Sequence, residues 1–76
     1  MEIYKFMSKL TNELNEKLFY DVELHKEYNN YDKTYLLRVI AKRDNKRYDY
    51  GFSIHENWLD DNSIYEIINS LLISNF

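Results

Sequence analysis

Thr34-Tyr35-Leu36-Leu37-Arg38-Val39-Ile40-Ala41-Lys42 is the stretch on which the fold turns. Its β-branched and large apolar residues favour extended backbone. Side chains alternate across a strand, so Tyr35, Leu37, Val39 and Ala41 share one face while Leu36 and Ile40 share the other. Apolar groups on both faces mark a central strand, with a neighbouring strand on either side.

Both neighbours are legible. Upstream, Tyr20, Val22 and Leu24 alternate with Asp21, Glu23 and His25, which predicts a half-buried strand over 19–28. Asn29-Asn30-Tyr31-Asp32-Lys33 then supplies turn chemistry, because Asn and Asp tolerate left-handed backbone. Downstream, Arg43-Asp44-Asn45-Lys46-Arg47 turns the chain again, and Tyr48, Tyr50, Phe52 and Ile54 alternate with Asp49, Gly51 and Ser53 in a third strand.

The flanks change period. Ile3, Phe6, Met7, Leu10, Leu14 and Leu18 keep the i, i+3, i+4, i+7 spacing of an amphipathic helix over 2–18. Glu13 and Lys17 add a favourable i, i+4 pair. Near the other end, Ser63 and Glu66 have the spacing of a capping box, with Asp60 and Asp61 suited to the positive end of a helix dipole. Ile64, Ile67, Ile68, Leu71 and Leu72 follow as the apolar stripe of a C-terminal helix. The expected fold is α+β: one domain over 1–76, with a three-stranded antiparallel sheet and both helices packed on one face (αβββα). Tyr20, Val22, Leu24, Leu37, Val39, Tyr50 and Phe52 would lie beneath the helices. Leu36, Arg38, Ile40, Lys42, Asp49 and Ser53, with the acidic row of the first strand, would lie on the open face.

Composition narrows the function. The chain of 76 residues carries 13 acidic and 10 basic side chains, for a net charge of −3 and a pI near 5.3. There is no cysteine, so disulfides, thiolate metal sites and a cysteine nucleophile are all excluded. Gly51 is the only glycine and there is no proline, where average usage would supply roughly five and four. Phosphate-cradling glycine loops are therefore excluded. No apolar run approaches the ~20 residues of a membrane span. Charges at Glu2, Lys5 and Lys9 break any signal-peptide core. A cytoplasmic protein is expected.

The order of elements is that of the double-stranded-RNA-binding domain, but the positions that grip phosphate in that domain are acidic or neutral here. Asp60-Asp61-Asn62-Ser63 opens the last helix, and Asn29-Asn30-Tyr31-Asp32 forms the first turn. Arg43, Lys46 and Arg47 make a small basic tip, narrower than the patch of a nucleic-acid binder. The histidines, His25 and His55, lack the spacing of a zinc helix. Carboxylates in a polar loop are not desolvated as an acid–base pair requires. No catalytic group, cofactor or metal is expected.

Aromatic residues outside the helical and strand stripes remain: Tyr28, Tyr31, Tyr65 and Trp58. Tyr and Trp supply large contact area at low entropy cost. Glu56, Trp58, Asp60 and Asp61 form one candidate binding patch, and Tyr31 with Asp32 a second. Their carboxylates would oppose arginines and lysines of a partner protein.

Nine Asn, seven Lys, seven Ile and eight Tyr point to A/T-rich coding. In size, mild acidity, scarcity of glycine and proline, and element order, the chain resembles the small anti-defence proteins of phages and plasmids, anti-CRISPR proteins among them. The resemblance covers the whole chain and rests on no motif. It implies a non-enzymatic inhibitor that binds a host protein, a nuclease or CRISPR effector, inside the bacterial cell. The alternative is a homo-oligomeric or accessory-subunit module, homodimer included, using Leu36 and Ile40 or the Ile73–Phe76 end. A nucleic-acid-binding regulator using Arg38, Arg43, Lys46 and Arg47 ranks last.

Overall fold

The computed structural model describes residues 1–17 and 20–75. Helix α1 (Ile3–Glu16) starts where the Glu2 carboxylate accepts hydrogen bonds from the backbone N–H groups of Tyr4, at 2.9 Å, and Lys5, at 3.3 Å. A side-chain acceptor at this position satisfies donors that the first helical turn leaves open. Its stripe of Ile3, Phe6, Leu10 and Leu14 is buried, each such side chain contributing about 1.5–3 kcal/mol of transfer free energy. Leu18, the last residue expected in this stripe, lies outside the described residues.

Strands β1 (Tyr20–Asn29), β2 (Thr34–Arg43) and β3 (Lys46–His55) form one antiparallel sheet in the order β1-β2-β3. The central position of β2 follows from its apolar residues on both faces. The β2–β3 connection is only Asp44-Asn45, at φ 51° and 65°. Positive φ at both central residues is the geometry whose twist matches paired strands. Both strands therefore run further into this hairpin than the turn residues suggest. In the β1–β2 turn, the Asn29 side-chain carbonyl accepts from the backbone N–H groups of Tyr31 and Asp32, and Lys33 takes the left-handed position at φ 55°.

Register sets the faces. Leu24–Val39–Tyr50 and Lys26–Leu37–Phe52 are rungs on the helix side, while Glu23–Ile40–Asp49 and His25–Arg38–Gly51 lie on the open side. Between Tyr20 and Glu23 the β1–β2 register shifts at a bulge, with Asp21 at φ 53°. An extra residue in one strand bends it and breaks the ladder locally. The expected core place of Tyr20 concerns a side chain outside those described.

After β3 a single 3₁₀ turn (Glu56–Trp58) leads into α2 (Asp61–Asn75). One core joins Ile3, Phe6, Leu10 and Leu14 of α1 and Ile64, Ile68 and Leu71 of α2 to Leu37, Val39, Ala41 and Ile54 of the sheet. Both helices thus cover the same face, and the chain is the expected αβββα domain.

Two local expectations change, and a residue outside them joins the core. The capping group of α2 is Asp60, whose carboxylate accepts from the Ser63 N–H at 2.9 Å, rather than Ser63 acting with Glu66. The helix starts earlier because Asp60 meets the requirement first, and Ser63 then falls inside the first turn. Leu59, an isolated apolar residue in a polar stretch, is buried in the core. On the open face Ile40 is only 7 % exposed, whereas Leu36 is 51 % exposed. Ile40 stands between Glu23 and Asp49 in its rung, and Lys42 and Arg47 line the same surface, where such long side chains cover apolar groups with their stems.

Candidate functional site

The two patches expected from sequence occupy one end of the molecule. The backbone N–H of Glu56 donates to the carbonyl of Lys33 at 2.9 Å. This ties the 3₁₀ turn after β3 to the end of the β1–β2 turn. A second tie runs beside it: the Tyr28 hydroxyl donates to Glu56 Oε2 at 2.9 Å. Tyr28 in turn packs on Tyr35, with ring centroids 4.7 Å apart. The Glu56 charge, accepting this bond and close by, raises the Tyr28 phenol above its ordinary pKa.

Two aromatic side chains project from this end. Tyr31 is 94 % exposed at the tip of the turn and Trp58 is 66 % exposed on the 3₁₀ turn. Local bonds hold the backbone that carries them. Asn29 braces Tyr31 and Asp32 as described, and its amide also donates to the Asp32 carboxylate at 3.2 Å. His55 Nδ1 accepts from the Asn57 N–H at 3.1 Å, capping the 3₁₀ turn.

The acidic residues divide by role. Asp32 and Glu56 accept from neutral groups, an amide and a phenol, so these bonds leave their charge in place. Asp60 is spent on the α2 N-terminus. Asp61 pairs with Lys9 of α1 at 3.2 Å, tying the two helices together. The Glu56 bonds to Lys33 and Tyr28 bring the Tyr31-Asp32 turn to the same end as Glu56 and Trp58, while Asp60 also caps α2 and Asp61 also pairs with Lys9.

Tyr28 is the residue that sequence reading did not place. It follows directly on the alternating stretch of β1, and only the register reveals its partners. Tyr65 lies elsewhere, exposed on α2 beside Lys9, Glu13 and Asp61.

The other surfaces offer less. On the open face Arg38 makes a two-pronged pair with Asp49, its Nε donating at 2.9 Å and its Nη2 to the other carboxylate oxygen. That pair holds Asp49 below the usual carboxylate range. Arg43 lies 3.5 Å from Asp44. Three of the four basic residues considered for nucleic acid thus have acidic neighbours, since Arg47 also acts on Asp49. Ile40 is buried, which removes half of the apolar pair expected to mediate self-association; Ile73 is exposed, and Phe76 lies outside the described residues. Among the described residues no three His, Asp or Glu side chains are grouped to hold a metal ion. Among them, too, no helix is long and apolar enough to cross a membrane.

No family model, curated protein or solved structure matches the chain.

Proposed function

We propose that this chain is a non-enzymatic inhibitor encoded by a phage or plasmid, which binds a bacterial defence nuclease or effector complex in the anti-CRISPR manner. The observation that carries the reading is the pair of bonds at Glu56, whose N–H donates to the Lys33 carbonyl and whose carboxylate accepts from the Tyr28 hydroxyl. They merge two short acidic and aromatic stretches into one braced surface. Tyr31 and Trp58 act as anchors, since large rigid aromatics dominate interface energetics. Asp32 and Glu56 present carboxylates where a nuclease channel expects phosphate, opposite its arginines and lysines. Bracing by Asn29 and His55 lowers the ordering cost on binding.

The test is a panel of purified RNA-guided and other defence nucleases, assayed for cleavage with the chain in stoichiometric amount. Inhibition of at least one member is expected, with loss of inhibition in the Tyr31→Ala, Trp58→Ala double variant. Full cleavage by every member, with no defence subunit retained on the immobilised chain from nuclease-treated lysate, would overturn the reading.

A further inference from the structure

The two edges of the sheet are not equivalent. β1 carries the devices that discourage strand pairing: a bulge at Asp21-Val22, a left-handed residue within it, and a row of charged side chains. β3 pairs with β2 without a register shift along its whole length. From Tyr48 to His55 its one formal charge is Asp49, which Arg38 already holds from the neighbouring strand. Its outer edge is the end of the sheet.

A groove of about 260 Å³ runs along this edge. Tyr50, Phe52 and Ser53 line it from β3, Ile67 and Glu66 from α2, and Trp58 from the turn between. Ser53 belongs to the open face and Phe52 to the helix face, so the groove follows the strand's rim. An extended backbone fits such a place by adding to the sheet.

We propose that the occupant is β3 of a second copy, paired antiparallel about a two-fold axis at Gly51, so that two sheets become one of six strands. Faces must match across the new pair, which leaves only registers centred on a residue. Those centred on Tyr50 and on Gly51 use the strand almost end to end. The Tyr50 register sets Lys46 of one copy opposite the buried Ile54 of the other, a charge against an apolar side chain. The Gly51 register sets Lys46 beside Glu56 instead, and does so twice by symmetry. It also places Tyr50 opposite Phe52 and Tyr48 opposite Ile54 on the helix face, where aromatic and β-branched cross-strand pairs are stabilising. Asp49 faces Ser53. Gly51 faces its own copy. The contact is isologous and closes on itself, unlike β1-to-β3 pairing, which would propagate. It leaves the Tyr31 turns at opposite ends of the doubled sheet, while Trp58 and Glu56 border both the new contact and the surface proposed above.

Sedimentation velocity of the full chain over a dilution series tests this directly. A reversible monomer–dimer equilibrium of the 9.4 kDa chain is expected. Ser53 is exposed, so its substitution leaves the fold intact. Ser53→Asp sets two like-charge pairs against Asp49 and should weaken the dimer roughly tenfold, while Ser53→Lys should tighten it. Pairing about Tyr50 would reverse these signs, because Ser53 would then face Arg47. Gly51→Cys introduces the only thiol into a cysteine-free chain at a position where a Cβ would make an ordinary van der Waals contact, 3.9 Å from the Leu37 carbonyl oxygen. Mild oxidation should cross-link it on the two-fold axis, and Ser53→Cys should stay uncross-linked. A monomer at every concentration overturns the proposal. So does a dimer indifferent to Ser53→Asp, or one that cross-links no faster through Gly51→Cys than through Ser53→Cys.

Discussion

Tyr28 and Glu56 are 28 positions apart in the chain and 2.9 Å apart in space, the phenol hydroxyl of one donating to the carboxylate of the other. The bond closes the β1–β2 hairpin against the turn that follows β3. Beside it, the Glu56 N–H to Lys33 carbonyl bond fixes the backbone at the same place. Through these two bonds, one end of a small sheet becomes a defined surface.

Tyr28 should therefore ionise above the ordinary ~10 of a tyrosine. Its pKa is raised on folding, so the bond's contribution is complete below that ordinary value and is lost as pH rises through the raised one. A ¹³C titration of the Tyr28 Cζ resonance should show this late ionisation, and Glu56→Gln should lower its midpoint. Tyr28→Phe keeps the ring on Tyr35 but frees Glu56. It should cost little stability and more affinity for a target.

Ile40 and Leu36 both face away from the helices and should respond differently to truncation. Ile40→Ala removes a buried side chain and should cost about 2–5 kcal/mol. A chain of this size has roughly 4–11 kcal/mol in total, so that is a large share. Leu36→Ala, at a half-exposed site, should stay within about 0.5 kcal/mol. Urea denaturation of the two variants checks the contrast.

Asp60→Ala should cost about 1 kcal/mol through loss of the α2 cap, whereas Asp60→Asn should retain most of it. Thermal unfolding separates this from any effect on binding. Normal affinity in Asp60→Asn is the outcome expected of a scaffold residue.

Acid should act on the open face at Asp49. Its carboxyl, bonded to Arg38, is depressed on folding. A depressed acid contributes stability above its unfolded value, near ~3.9, and loses it as pH falls through the lower folded value. Carboxyl ¹³C shifts should place the Asp49 midpoint below the unfolded value, and Arg38→Gln should raise it.

Asp32→Asn and Glu56→Gln should act on the rate of target association more than on dissociation, and should flatten its dependence on salt, since rim charges steer encounter. Stopped-flow or surface binding at two ionic strengths reads this out. Tyr31→Ala and Trp58→Ala should raise the dissociation rate instead.

The element order was readable because every element carries its own period. Ile3, Phe6, Leu10 and Leu14 announce a helix from spacing alone, and Tyr48, Tyr50, Phe52 and Ile54 announce a strand. The candidate residues Tyr31, Asp32, Glu56 and Trp58 could be found as polar and aromatic groups left over from those stripes. Their union could not, because nothing local links residue 33 to residue 56. Leu59 was missed for a related reason: one apolar residue has no period, and its burial depends on where the chain returns to the core. The α2 cap slipped because Asp60 and Ser63 are both competent N-caps, and Asp60, reached first along the chain, caps the helix before Ser63 can.

Local chemistry, then, determined the helices, the strands, both turns and the absence of thiols and glycine loops, because each depends on neighbours a few positions away. Tertiary structure alone decided that Ile40 is covered and Leu36 is not, that Tyr28 meets Glu56, that Asp61 is tied to Lys9, and that β3 is the unguarded edge. Those are relations between segments brought together by register and packing. Their energies depend on distance in space, which spacing along the chain does not encode.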